Sequence, residues 1–180
     1  LSEVMDIPYA RSIEVSPDGS LAAISFAGFT PPEGERESWI EIRELPSGDL
    51  VRQITDTEMG GIDWAPKGRL LSFTAGKSLK VLDMETGVVT EITGGLEDLG
   101  GYMWGPEGDF IIYSLTEKPE TDETGVKRHL GLYDRTEYGR NISSLYIASW
   151  PPGASRRITS GRRSVHVHDI HPDGRFALVG

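Results

Sequence analysis

The chain has 180 residues and a formal net charge of −10, with 18 Lys and Arg against 28 Asp and Glu. Because no stripe of basic side chains is available to neutralise phosphates, a nucleic-acid partner is not expected. The absence of cysteine excludes disulfides, thiolate metal sites and cysteine nucleophiles. No apolar run approaches the length needed to cross a bilayer, so no membrane contact is expected. Leu1 stands where Met would start a chain, so we expect a trimmed start, and the compartment stays open between the cytoplasm and an exported location.

A four-residue turn motif occurs four times and organises the chain. The copies are Ser-Pro-Asp-Gly at 16–19, Ala-Pro-Lys-Gly at 65–68, Gly-Pro-Glu-Gly at 105–108 and His-Pro-Asp-Gly at 171–174. Proline presets φ for the second position of a tight turn, and glycine accepts the left-handed conformation that lets the chain double back. Each copy lies between two apolar runs, which predicts a β-hairpin.

A second hairpin follows the first three of these turns, and each of these units closes on Ile-Thr, at 54–55, 92–93 and 158–159. Four-stranded antiparallel units that repeat at roughly 40–50 residues are typical of β-propeller blades. The sequence therefore predicts an all-β fold, an incomplete β-propeller of about three and a half blades. The expected blades span about 11–55, 60–93 and 100–159, with a half blade at 165–180. Propellers close with roughly four to eight blades, so we expect the chain to be part of a longer protein.

Insertions separate the second and third strands of two blades, at 28–37 and 116–141. The first is short and polar. The second begins with a charged stretch at 117–124 and continues into a segment with apolar and aromatic residues among charges, at 129–135. Loops of this length in a compact fold are usually functional or disordered, so the second insertion is a candidate binding segment.

The joint pattern of the repeat resembles two groups of propellers. It combines an apolar-x-Trp-x-Pro-x-Gly turn, a strand ending in an aromatic residue, an acid-x-x-Gly turn and a closing Ile-Thr. One group is the TolB-type propeller with its Trp-Ser-Pro-Asp-Gly repeats. The other is the N-terminal propeller of the prolyl oligopeptidase family of serine peptidases, including its acylaminoacyl-peptidase and dipeptidyl-peptidase branches. Two features favour the peptidases: the leader 5–8 ahead of the first turn, and segment 128–147, which resembles the family's blade insertion and the strand after it.

The peptidase resemblance implies a division of labour. The propeller would restrict entry to short peptides and supply part of the substrate cavity. A catalytic α/β-hydrolase domain, C-terminal to the propeller in the family, would do the chemistry, and none of it lies within the 180 residues. If the long insertion faces that cavity, its substrate-binding candidates are Arg128, His129, Tyr133, Arg135 and Arg140. No convincing match to the paired Glu motif of the dipeptidyl-peptidase branch is present, which leaves endo- or exopeptidase specificity open.

No catalytic residue is predicted in the chain itself. A serine hydrolase needs a Gly-x-Ser-x-Gly nucleophile elbow, and no such pentapeptide occurs. The nearest match, at 76–80, lacks the second glycine and lies at a predicted blade hairpin. We therefore expect that this chain alone does not hydrolyse peptides.

The histidines offer an alternative site. His166, His168 and His171 lie within six residues together with Asp169, and His166 and His168 would share one side of a strand. A zinc or nickel site is conceivable on these ligands. However, His168 aligns with positions that we expect to pack between blades. Those positions are Ile13, Ile62 and Tyr102. A structural role is therefore favoured, and no metal or other cofactor is expected.

A second aligned position stands before each turn and holds Glu14, Asp63, Met103 and Asp169. On the innermost strands, three carboxylates would line the channel and could filter peptides or hold a cation. Hydrogen bonds to neighbouring blades are the favoured alternative.

The tryptophans and paired arginines have structural interpretations. Trp64 and Trp104 occupy matched positions, which predicts packing between blades. Trp39 and Trp150 would cover blade edges. The pairs Arg156–Arg157 and Arg162–Arg163 could bind a carboxylate, although solvated blade ends are the favoured interpretation.

The leading hypothesis is the N-terminal half of a peptidase propeller that gates and positions short peptides. Its partner would be a C-terminal α/β-hydrolase domain of the same parent chain. The rival hypothesis is a non-enzymatic TolB-like propeller that binds a protein partner. A third is a lyase or other enzyme with its site in the propeller channel.

Overall fold

The computed structural model describes residues 8–30, 35–56, 58–96, 98–117, 141–161 and 163–180. The regular structure of these ranges is entirely β. The described part contains no helix long and apolar enough to span a membrane.

Strands β1 to β14 form four antiparallel sheets in chain order. The first sheet contains β1 (Tyr9–Val15), β2 (Leu21–Thr30), β3 (Glu35–Glu44) and β4 (Leu50–Thr55). The second contains β5 (Met59–Trp64), β6 (Leu70–Ala75), β7 (Ser78–Asp83) and β8 (Val89–Thr93). The third contains β9 (Leu99–Trp104), β10 (Phe110–Glu117), β11 (Ile142–Ser149) and β12 (Arg156–Arg157). The fourth is the hairpin of β13 (Val167–Ile170) and β14 (Ala177–Val179).

Each four-stranded sheet is a meander in which consecutive strands are neighbours. Strands β1, β5, β9 and β13 are therefore edge strands, and we call them the inner strands. Three four-stranded sheets and a two-stranded one confirm the predicted incomplete propeller.

The repeated Pro-x-Gly motif forms the tight turn that was predicted. The first-position carbonyl accepts a hydrogen bond from the glycine N–H, at 2.8 Å from Ser16 to Gly19 and 2.9 Å from Gly105 to Gly108. The glycines have φ of +71° and +73°, in the left-handed region that a β-carbon disfavours. In the first turn Asp18 accepts hydrogen bonds from the Ser16 and Ser20 hydroxyls, at 2.6 and 2.8 Å. These bonds and one from the Ser20 N–H lower the pKa of Asp18 to about 2.

The hydrophobic core lies between the sheets, because alternate residues of each strand point to opposite faces. In the second sheet, Phe73 and Leu82 pack towards the first sheet, whereas Leu79 and Val81 pack towards the third. A third cluster, which includes Ile170, joins the third sheet to the last hairpin. Sheets that bury both faces against neighbours are the arrangement of propeller blades.

The first and the last sheet each have one face that no described sheet covers, and these faces expose apolar side chains. Ile13 on β1 is 59% exposed and Phe176 beside β14 is 66% exposed. The expectation that aligned residues pack between blades is met by Ile62, which is 7% exposed, but is wrong for Ile13 and His168. Ile13 lies on the face of β1 that no described sheet covers. His168 is the unpaired residue of a β-bulge, since Val167 pairs with Val179 and Asp169 with Leu178.

Candidate functional site: the inner-strand cavities

The five substrate-binding candidates of the long insertion lie outside the described residues. They are Arg128, His129, Tyr133, Arg135 and Arg140. The insertion leaves the third sheet at the end of β10 and returns at the start of β11, where Glu117 pairs with Ile142. The described part of the chain offers a different candidate site, along the inner strands.

A cavity of about 370 Å³ lies where the first three sheets meet. Its lining includes Glu14 of β1, Asp63 of β5, Thr74 of β6 and Tyr102 of β9, with glycine backbone between them. A second cavity of about 230 Å³ continues along the inner strands, between Asp63, Met103 and Asp169. The four residues of the aligned position before each turn therefore line two adjoining cavities. We call these the inner-strand cavities.

Tryptophan side chains link the sheets beside these cavities. The Trp64 indole N–H of the second sheet donates to the Glu14 carbonyl of the first sheet, at 3.1 Å. The Trp104 indole N–H of the third sheet donates to Ser72 Oγ of the second sheet, at 2.8 Å. The two rings are 6% and 5% exposed, which confirms their predicted place between blades. Each indole therefore holds one sheet against the preceding one.

Ser72 is the centre of a buried hydrogen-bond network. Its hydroxyl accepts from Trp104 and lies 2.8 Å from the Asp63 carbonyl and 3.2 Å from the Tyr102 hydroxyl, so its single proton serves one of these two oxygens at a time. The Tyr102 hydroxyl in turn donates to the Gly61 carbonyl at 2.8 Å. The network ties β9 of the third sheet to β5 and β6 of the second and satisfies carbonyls of the inner edge.

A bulge in β5 makes room for Tyr102. Gly60 pairs with Thr74 and Ile62 with Phe73, which leaves Gly61 unpaired. Gly61 has φ of +24°, and a β-carbon there would lie 3.4 Å from the Tyr102 ring. The positive φ thus favours glycine at 61, and a β-carbon there would lie in contact with the Tyr102 ring.

Burial and like charge set the electrostatics of the site. Burial, and secondly the neighbouring Glu14 carboxylate, raise the pKa of Asp63 to about 6. Burial also raises the pKa of Tyr102, so its hydroxyl stays protonated and remains a donor. Among the described residues, those that line the two inner-strand cavities include no Lys, Arg or His. The site thus presents carboxylates to its interior without a matching cation in its lining.

The histidines do not converge. Among the described residues, no group of three or more His, Asp and Glu side chains is placed to hold a metal ion. His171 Nδ1 instead lies 2.9 Å from Asp173 Oδ1 within its own turn. His166 lines a separate cavity of about 120 Å³ with Ser114.

The other sequence candidates have structural partners. Arg157 lies 2.7 Å from Ser144 Oγ and 3.1 Å from Glu117 Oε1. Trp39 stacks on Phe26 with ring centroids 5.3 Å apart. Trp150 meets Trp104 edge-on, so it joins the core between the second and third sheets.

The incomplete nucleophile motif also has a structural place. Ser78 pairs with Ala75 at the hairpin between β6 and β7, and Gly76 has φ of +55°. The glycine serves this hairpin turn.

Sequence reasoning gave Tyr102 a packing role between blades, which the second core cluster confirms, but it missed the hydrogen bonds of Tyr102, Ser72 and the glycines beside them. One signal was present in the sequence. Gly-Gly recurs at 60–61 and 100–101, and each pair ends three residues before a tryptophan, Trp64 or Trp104. Paired glycines inside a strand indicate a bulge or a close approach of another group.

Comparison with known proteins relates the whole chain to propellers of known structure. No family model matches the sequence, and no curated protein is significantly similar to it. Pyrococcus horikoshii acylaminoacyl peptidase superposes on 90% of this chain with a TM-score of 0.66 and 12% identity. The β-propeller domain of the trilobed protease from Pyrococcus furiosus covers 94%, with a TM-score of 0.61 and 18% identity. The chain thus has the β-propeller fold that these two peptidase structures share.

TolB from Acinetobacter baumannii shares the fold as well, over 97% of this chain, with a TM-score of 0.57 and 17% identity. The chain spans 26% of the acylaminoacyl peptidase, 49% of the trilobed protease domain and 37% of TolB. At these identities the likeness establishes the fold.

Proposed function

We propose that this chain is the propeller portion of a prolyl-oligopeptidase-like serine peptidase and that it admits and positions short peptides. Hydrolysis would take place on an α/β-hydrolase domain of the same parent protein. The observation that carries the proposal is the superposition of 90% of the chain on an acylaminoacyl peptidase. In this proposal the described residues line the route by which peptides enter, and the α/β-hydrolase domain supplies the nucleophile.

The inner-strand cavities suggest how the passage would select peptides. Glu14, Asp63 and Asp169 line them, and none of the described lining residues is basic. A cleft lined by one sign of charge concentrates ligands of the opposite sign and slows those of the same sign. Acidic peptides would therefore pass less readily than neutral or basic ones. The insertion residues Arg128, His129, Tyr133, Arg135 and Arg140 remain proposed substrate contacts.

A second candidate function is a non-enzymatic propeller that binds a protein partner at one face. The likeness to TolB over 97% of the chain favours it. Both candidates use the same sheets, so they differ only in what the parent protein carries besides the propeller.

The test is to purify the native parent protein and treat it with a fluorophosphonate probe, which labels an activated serine. We expect a labelled chain several times heavier than 19.8 kDa. The same protein denatured before treatment is the control, because the probe requires a folded active site. An unlabelled chain with room only for the missing blades would contradict the peptidase proposal and support the binding propeller.

A further inference from the structure

We propose that the carboxyls of Glu14 and Asp63 act as a proton-operated contact between the first and second sheets. A proton on Asp63 closes the contact, and its loss loosens it. This inference does not depend on the peptidase proposal, because it concerns how two neighbouring sheets of the propeller hold together.

The two carboxyls belong to different sheets and face one cavity. Glu14 lies on β1, Asp63 lies on β5, and both line the cavity of about 370 Å³. The backbone beside them is fixed, because Trp64, next to Asp63, donates its indole N–H to the Glu14 carbonyl. The pair therefore lies at the middle of the contact between the sheets, where a change in repulsion acts directly on it.

Two arginines hold the same contact at its ends. Arg11 of β1 donates to the Met59 carbonyl at the start of β5, at 3.3 Å. At the other end, Arg69 Nη2 donates to Ser20 Oγ at 3.3 Å, with its Nε 4.0 Å from Asp18 Oδ2. Arginine keeps its charge at any pH at which the protein is folded, so these ends do not respond to protons. The carboxyl pair is the titrating part of the contact.

The groups that face Asp63 are known from each neighbouring element. Glu14 faces it from β1 and Tyr102 from β9, and Asp169 of β13 lines the adjoining cavity with it. From β6 come Ser72, which bonds the Asp63 carbonyl, and Thr74. Tyr102 stays neutral in the physiological range because burial raises its pKa. The carboxylates therefore repel one another when ionised, and the partial burial of Asp63 strengthens the repulsion that it experiences.

The direction of the response follows from linkage. Burial and the Glu14 carboxylate raise the pKa of Asp63 from 3.8 to about 6. Between these values the folded chain binds more protons than the unfolded chain, so its stability falls as pH rises from about 4 to about 6. Above that range Asp63 is ionised and the contact is at its loosest. Between about pH 4 and 6, changes in proton concentration thus alter how firmly the two sheets adhere.

The test follows the indole N–H signals of the ¹⁵N-labelled full chain by NMR from pH 5 to 8, assigned with Trp→Phe variants. We expect the Trp64 signal to titrate with a midpoint near 6, since its hydrogen bond spans the contact. The Trp104 signal, whose partner is a serine hydroxyl, is the internal reference. Asp63→Asn should abolish the transition of Trp64, and Glu14→Gln should lower its midpoint by about half a unit or more.

Two results would overturn the proposal. One is a Trp64 signal that does not change between pH 5 and 8. The other is a transition that persists in Asp63→Asn, because it would then belong to the histidines. If Asp63→Asn does not fold, Glu14→Gln decides: an unchanged midpoint refutes the pair, and a lowered one supports it. Thermal unfolding gives a second measurement, in which the wild-type Tm should fall between pH 5 and 7.5 relative to Glu14→Gln.

Discussion

Tyr102 and Gly61 show how much of the site depends on single residues. The Tyr102 hydroxyl reaches the Gly61 carbonyl only because the bulge in β5 brings that carbonyl to the cavity. The aligned residue in the third sheet, Gly101, has open space around it and an ordinary φ. The two matched glycines thus differ in backbone conformation and in the space around them, although the sequence around them is similar.

This difference predicts unequal effects of the same substitution. Gly61→Ala should lower the free energy of unfolding by about 1–2 kcal/mol, because alanine is strained at positive φ and its β-carbon crowds the Tyr102 ring. Gly101→Ala should change it by less than about 0.5 kcal/mol. Urea unfolding of both variants measures the difference. Equal losses in the two variants would mean that the bulge has no special role.

At the scale of elements, strand β6 connects the second sheet to the third. Its Ser72 is completely buried and serves Trp104, Tyr102 and the Asp63 carbonyl. The Ser72 hydroxyl can be buried without a large loss of stability, because it has hydrogen-bond partners for both its proton and its oxygen. By contrast, Thr93 Oγ1 at the end of β8 is buried without a hydrogen-bond partner among the described residues.

Removal of the two hydroxyls should therefore have opposite results. Ser72→Ala removes the acceptor of the buried Trp104 N–H and a donor to the Asp63 carbonyl, which should cost about 1–3 kcal/mol of unfolding free energy. Thr93→Val removes an unsatisfied group at nearly constant shape and should be neutral or stabilising by up to about 1 kcal/mol. Chemical denaturation of both variants is the measurement. A destabilised Thr93→Val chain would indicate that the Thr93 hydroxyl has a partner after all.

For the whole molecule, the faces of the outer sheets determine behaviour in solution. Phe176 and Leu178 of the last hairpin are 66% and 65% exposed, and Ile13 and Val15 of β1 are 59% and 53% exposed. Exposed apolar side chains on edge strands favour association. The faces that these sheets turn towards their neighbours are closed by the core clusters, so these four side chains lie on faces that no described sheet covers.

The double change Phe176→Ser and Leu178→Ser should reduce self-association of the chain with little effect on its fold. Sedimentation velocity over a range of concentrations measures this. Val88→Ser is the matched control, because Val88 is also exposed, at 56%, but lies at the hairpin between β7 and β8 of the second sheet. If the control reduces association as strongly, the last hairpin is not the surface through which the chain associates.

Local chemistry was enough to predict much of this architecture. Proline and glycine at fixed positions impose a tight turn wherever they occur, so four copies of the motif indicated four hairpins. The period of the repeat then indicated four-stranded blades, and the matched positions of Trp64 and Trp104 indicated packing between them. The aligned position before the turns, acidic in three of its four copies, lies on an inner strand each time, and strand alternation puts Asp63 and Met103 on the face opposite the tryptophan that follows each of them.

What the sequence could not determine depends on contacts between residues far apart in the chain. Ser72 lies 30 residues from Tyr102 and 32 from Trp104, and only the packing of the second sheet on the third makes them a network. The pairing of Glu14 with Asp63, and with it the raised pKa of Asp63, likewise requires two sheets to meet. Burial and charge proximity are properties of the assembled sheets. Short stretches of residues determine the turns and the repeat, whereas the hydrogen-bond network and the raised pKa of Asp63 in the inner-strand cavities arise only in the tertiary structure.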